Sequence, residues 1–173
     1  MAANPPVQTD ELRSSAKELV GRFAGQLKPA LQQAFRDVGP AGAIEVCSAK
    51  APAIAASLSE ESGWRIRRVS LKPRNTDAAT PNDWARRVLE SFEQRRKAGE
   101  PVSGMVHDGV VDGEYRFMKP QAVEPLCLTC HGTDIAPDVA RQLDRFYPDD
   151  RAIGYSLGDI RGAFYLTKSI DTE

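Results

Sequence analysis

Apolar residues recur at three- and four-residue steps through the first part of the chain. Leu12, Ala16, Leu19, Val20, Phe23, Leu27, Leu31, Phe35 and Val38 share one stripe, which predicts an amphipathic helix over 10–38 with Thr9 as its cap. Pro29 is expected to kink it, and Gly39-Pro40 to stop it. A second helix is predicted over 41–60, with Ile44, Cys47, Ala51, Ile54, Ala55 and Leu58 on one face and Gly63 just past its end. Pro52 removes one rung from its hydrogen-bond ladder. Residues 1–8 are polar and proline-containing, and read as a loose tail ahead of a single domain over 9–173.

The period then changes. Trp64 to Leu71 is rich in Arg, Ile and Val and predicts a strand, followed by a basic turn at Lys72-Pro73-Arg74-Asn75. Thr80-Pro81 has the form of a helix start, and Trp84, Val88 and Phe92 give that helix its apolar face before Gly99. Its arginines and lysine read as a solvated face. Val102–His107 and Glu114–Val123 predict strands, with the Asp108-Gly109 and Asp112-Gly113 pairs as hairpin signals between them. Pro120 and Pro125 are expected to end the second of these strands. A short helix over Pro137–Tyr147 and a glycine-led strand over Gly158–Thr167 complete the order. The layout is α+β: a small antiparallel sheet with helices packed on one side.

Charge adds little to this picture. Of 173 residues, 23 are Lys or Arg and 24 are Asp or Glu, a formal net charge of −1. No strong field favours nucleic acid or an anionic membrane, and no apolar run is long enough to span a bilayer. Cysteine changes the picture more. There are three: Cys47, Cys127 and Cys130.

Cys127-Leu128-Thr129-Cys130-His131-Gly132 has the attachment signature of c-type haem. Two thioether bonds from Cys127 and Cys130 would hold one porphyrin. The adjacent His131 would then donate an imidazole nitrogen to the iron. A bare C-x-x-C is shared by zinc sites and redox dithiols. The following histidine and the lack of a second such pair favour haem.

The residues alone leave the other axial position open among Cys47, His107, Met105, Met118, Lys50 and water. Cys47 lies on an apolar helix face, which suits either a haem ligand or an ordinary buried thiol. It is also the odd thiol left once haem takes the other two, and iron would keep it deprotonated. His107 precedes a turn, the two methionines lie in strands, and Lys50 sits one helical turn from Cys47.

Covalent haem implies export, so the expected location is the periplasm. Met1 to Pro6 has neither a basic nor an apolar leader segment, and the chain is read as a mature form whose leader was replaced by a start methionine.

Ala43-Ile44-Glu45-Val46-Cys47, Ala51-Pro52-Ala53-Ile54-Ala55, Leu71-Lys72-Pro73-Arg74-Asn75, the C-x-x-C-H segment and Gly158-Asp159-Ile160-Arg161-Gly162-Ala163 follow one another in a specific order and spacing. In this combination the chain resembles, from about residue 9 to 170, a bacterial family of single-haem c-type proteins with a PAS-like fold, long known only as a domain of unknown function. The resemblance implies a PAS-like antiparallel sheet of about five strands, with N-terminal helices packed around one covalently attached haem c. It implies axial ligation by His131 and by the thiolate of Cys47. Family members often carry proline after the asparagine of the Lys-x-Arg-Asn segment, and here Thr76 follows.

With a haem in place, Lys72 or Arg74 is expected to pair a propionate, because buried carboxylates need cationic partners. A His/thiolate pair favours ferric iron and hence a low reduction potential. The function expected is low-potential electron transfer or redox and gas (CO, NO) sensing, with a separate redox partner or signalling protein. A haem enzyme, either a peroxidase or a sulfur-compound oxidoreductase, is the alternative. Two filled axial positions count against it.

Overall fold

The computed structural model describes residues 6–170. The predicted tail over 1–8 lies outside the described residues for its first five positions. The rest of it is helix, because α1 runs Pro6–Ser62. A proline in a first turn removes a donor that has no partner there anyway, so the helix begins ahead of Thr9. Within α1 the one non-helical backbone is at Gly39, with φ 72° and ψ 176°. Pro29 keeps helical dihedrals, and the carbonyl it deprives of a partner belongs to Gly25, which is exposed to water. At Gly39 the positive φ requires glycine, and the chain turns back on itself there. An Arg22–Glu61 ion pair at 2.5 Å joins the two limbs.

The remaining elements are β1 Arg65–Val69, α2 Thr76–Ala79, α3 Asp83–Lys97, β2 His107–Val111, β3 Glu114–Ala122, α4 Leu128–His131, α5 Pro137–Phe146 and β4 Ile160–Ser169. All strand pairs are antiparallel, in the order β1-β4-β3-β2. The sheet has four strands among the described residues, not about five. The intervening segments close into short helical turns, with Asn75 capping α2 through Ala78 N–H at 3.2 Å. The α3 cap is Asn82, not Thr80, since Asn82 Oδ1 accepts from Ala85 N–H at 2.8 Å.

Helices cover both faces of the sheet, not one. Both limbs of α1 pack on the first face through Phe23, Ile54 and Leu58, against Ile66, Phe117, Phe164 and Leu166. On the opposite face α3 packs Val88, Leu89 and Phe92 against Val69, Met118, Ala163 and Tyr165. Consecutive residues of β4 therefore alternate between two cores, and the strand reads as an unbroken apolar run. At its start, a Cβ on Gly162 would stand 2.5 Å from the Val69 carbonyl oxygen, so only glycine lets β4 approach β1 this closely.

The hairpin turns at Asp112-Gly113, with φ of 51° and 76°, and Asp108-Gly109 lies inside β2. Asp108 has the reason: its carboxylate accepts from Tyr115 Oη at 2.5 Å and from Arg13 Nε at 2.9 Å, tying β2 and β3 to α1. Pro120 does not end β3. It lies beyond the last β2 pair, His107 with Met118, where a missing donor is tolerated.

This network predicts a pH response. Burial first, then the hydrogen bond and charge of Asp108, push the Tyr115 phenol above its ordinary value. The folded state thus holds the neutral phenol more tightly than the unfolded chain, whose tyrosine ionises near pH ~10. The stabilisation is complete below that pH and is lost as pH rises toward the folded value. Urea midpoints are expected to drop between pH 9 and 11.5 in the wild type. Tyr115→Phe removes part of that drop.

Candidate functional site

The C-x-x-C-H segment is helical. A 3-10 turn over Pro125–Cys127 runs directly into α4, so Cys127, Cys130 and His131 fall at i, i+3 and i+4 on one face. Pro125 opens the turn, Glu124 N–H reaches Cys127 Sγ at 3.4 Å, and Lys28 Nζ of α1 holds the Glu124 carboxylate at 2.7 Å. Gly132 closes it. A Cβ there would lie 2.5 Å from the Leu128 carbonyl oxygen. All three cysteines are free thiols.

A loop over 150–155 braces the motif. His131 O accepts from Tyr155 N–H, and Gly132 O from Gly154 N–H, both at 2.9 Å. Arg74 clamps the two segments together. Its Nε donates to Asp150 Oδ2 at 3.2 Å, and its Nη2 donates to Ala152 O at 3.1 Å and also to Cys130 O. Asp150 in turn accepts from Ala152 N–H at 2.8 Å. Lys72 Nζ donates to Ile153 O at 2.5 Å and lies 4.3 Å from the Tyr155 ring centre. The two cations expected near a propionate therefore have protein partners along this loop.

His131 Nδ1 lies 2.7 Å from Ala152 O. A carbonyl only accepts, so Nδ1 carries the proton and Nε2 carries the lone pair. Burial, followed by the charges of Arg161 and Arg74, holds this imidazole well below its ordinary pKa, so it is neutral at neutral pH. Arg161 Nε lies 3.1 Å from Nδ1 and 3.4 Å from Nε2. Since Nδ1–H is committed to Ala152, the acceptor open to Arg161 is Nε2. Burial, aided by Arg74 and Arg68, lowers Arg161 to about 10.

Cys47 stands on the second limb of α1, partly buried. Burial raises its thiol pKa, Cys130 raises it further, and Arg68 of β1 opposes both. The fold thus brings Cys47 within electrostatic reach of Cys130 and Arg68. One turn earlier, Ile44 packs with Val139 and Leu143 of α5, and Cys130 and Tyr147 pack against the same cluster. Cys127 packs instead against Val123, Ala152 and Tyr155.

The other residues considered for the axial position lie elsewhere. Met105 and Met118 are fully buried in the core under α3. His107 is exposed, its ring 5.7 Å from Trp84. Lys50 is exposed and lines the groove between the limbs of α1. Sequence reasoning gave no role to Arg68, Arg161, Asp150 or Tyr155. A signal was available for Arg161, an arginine set between Ile160 and Gly162-Ala163 at the head of a buried strand.

Fold and site together define a small α+β domain in which a helical C-x-x-C-H turn is braced beside the β1–β4 end of an antiparallel sheet. The chain belongs to the Tll0287-like family, whose model matches residues 7–169. It is similar in fold to the crystal structure of the cyanobacterial heme-protein Tll0287, with a TM-score of 0.69 and 21% sequence identity over 99% of each chain. No curated protein matches its sequence. Among the described residues no helix is long and apolar enough to cross a membrane.

Proposed function

We propose that the chain is a periplasmic, single-haem c-type protein acting in low-potential electron transfer. Cys127 and Cys130 form the thioethers, His131 is one axial ligand and Cys47 the other. One observation carries the reading: two free thiols and a neutral imidazole share one helical face, and the imidazole's Nδ1–H is spent on Ala152 O, so that Nε2, which only Arg161 faces at 3.4 Å among the described residues, carries the lone pair that can donate. Bound there, the haem supplies a one-electron Fe(III)/Fe(II) couple.

The protein's own groups set its behaviour. Ala152 O orients the His131 ring and raises its basicity as a donor. The cation of Arg68 favours the thiolate form of Cys47 against the penalty of burial. A thiolate donor favours ferric iron, which lowers the potential. Arg74 keeps the motif and the 150–155 loop in one arrangement, and Lys72 holds the same loop through Ile153 O. The expected partner is a separate redox protein. The enzyme alternative ranks behind, because both axial positions are claimed by protein side chains.

Sensing is the second reading. Cys47 lies on the limb beyond the Gly39 break, so losing that ligand on reduction, or to CO or NO, would free a helical limb that turns at a glycine. Spectroelectrochemical titration with and without CO separates the two. Electron transfer predicts one reversible one-electron couple that CO leaves in place. Sensing predicts CO uptake by the ferrous protein, an upward shift of the potential, and a change in oligomeric state.

A further inference from the structure

Three guanidinium groups converge on the site, from Arg68, Arg74 and Arg161, and one carboxylate answers them. That carboxylate, Asp150, is committed to Arg74 and to the Ala152 N–H. Among the described residues, no carboxylate oxygen lies within the 4.0 Å of an ion pair from Arg68 or Arg161. Arg68 has its guanidinium carbon 5.2 Å from the Phe23 ring centre and feels the charges of Tyr147 and Cys47. Arg161 has the His131 ring and, at 5.8 Å, the Tyr155 ring. The arginines of α3 and α5 lie largely on solvated faces. These two are partly buried. Burial lowers the pKa of both, and the charges of Arg74 and Arg68 lower that of Arg161 further.

The position of Arg161 is built. Its carbonyl accepts from Ser70 Oγ at 2.8 Å and from Tyr155 Oη at 3.4 Å. At the next residue, Gly162, a Cβ would stand 2.5 Å from Val69 O, so the backbone of β4 lies close against β1 there. The side chain therefore leaves a fixed point beside the C-x-x-C-H face, and it is long enough to turn from His131 to another acceptor. Arg68 leaves β1 one residue before Val69, which pairs with Ala163. The two arginines sit at the same end of the sheet, one near His131 and the other near Cys47.

We propose that Arg161 and Arg68 together receive the two carboxylates of the porphyrin. The charges match: three guanidiniums and one carboxylate leave two positive charges, and a haem brings two propionates. Guanidinium is suited to this task, because its planar fork meets a carboxylate with two parallel hydrogen bonds and is less strongly hydrated than an ammonium. The assignment rests on the haem reading above. It differs from the expectation drawn from sequence in giving both carboxylates to Arg161 and Arg68, while Arg74 and Lys72 brace the loop.

The test uses holoprotein made alongside a c-type attachment system, as wild type, Arg161→Gln, Arg161→Lys and Arg68→Gln. Covalent haem is read by intact mass, the propionate-bending band by resonance Raman, and the potential by spectroelectrochemistry. The two glutamine variants are expected to keep covalent haem, to shift the propionate band, and to move the potential more negative, since each removes a cation that favours the ferrous state. Arg161→Lys is expected to restore the potential while leaving the band displaced, which a purely structural role for Arg161 does not produce. Where Arg161→Gln does not accumulate, Arg161→Lys and Arg68→Gln carry the same comparison. Covalent haem with an unchanged band and potential in the variants overturns the assignment and leaves the haem reading standing. A wild type that takes up no haem overturns both.

Discussion

Cys47→Ala, produced as holoprotein, is expected to keep its covalent haem and lose its low potential. On the proposed assignment the thioether bonds come from Cys127 and Cys130, so attachment does not depend on Cys47. What changes is the donor opposite His131. Removing an anionic thiolate leaves a neutral ligand or water, and the ferric state loses its main stabilisation. The potential is expected to rise by on the order of 0.1 V or more, within the ~0.8 V that axial ligands span. The ferric absorption spectrum is expected to pass from low-spin to high-spin. The local sequence carries part of this argument and the fold the rest: Cys47 shares its surroundings with Cys130 and Arg68, whereas Met105 and Met118 lie in the core under α3. Cys47→Ser is expected to behave in the same way. An unchanged spectrum and potential in either variant would assign the position to another residue.

Arg74→Ala is expected to cost about 3–5 kcal/mol of stability, the range for breaking a buried ion pair by removing one partner. The side chains of Arg74 and Asp150 are only 11% and 10% exposed. Truncation leaves the Asp150 carboxylate without its cation and the carbonyls of Cys130 and Ala152 without a donor. It also frees the loop whose Ala152 carbonyl orients His131. Arg74→Lys should recover only part of the loss, because an ammonium does not reproduce the planar fork that serves three oxygens. Arg74→Ala combined with Asp150→Ala should cost less than the sum of the single changes, since it leaves no unpaired carboxylate. Urea denaturation of the wild type, the three single variants and the double variant checks this. A loss under ~1 kcal/mol in Arg74→Ala would mean that the pair behaves as a surface contact.

Much of the fold was legible because local rules and tertiary packing agree. The stripes over 10–38 and 41–60 lie on the first core, and β1, β3, β4 and α5 appear close to their predicted bounds. The C-x-x-C-H spacing places Cys127, Cys130 and His131 on one face of a helical turn, a local geometry that sequence can carry. The rest was hidden where distant residues decide between locally equal choices. Two Asp-Gly pairs offered a hairpin turn, and the choice falls to Arg13, a residue 95 positions from Asp108. Helices on both faces were missed because a strand buried on both sides loses its alternation. The break expected at Gly39-Pro40 is where the backbone leaves the helix, with positive φ at Gly39, whereas Pro29 keeps helical dihedrals. The arginines of the site were missed for a related reason. Whether an arginine has a carboxylate beside it depends on which strands become neighbours, and Arg68 and Arg161 meet only because β1 pairs with β4.

The most direct test of the account is the intact mass of the chain made in a host able to attach haem c. The account predicts a mass raised by one haem, resistant to acid extraction, and absent from the Cys127→Ser, Cys130→Ser double variant. An unmodified mass in the wild type, under conditions where a control cytochrome is matured, would contradict it.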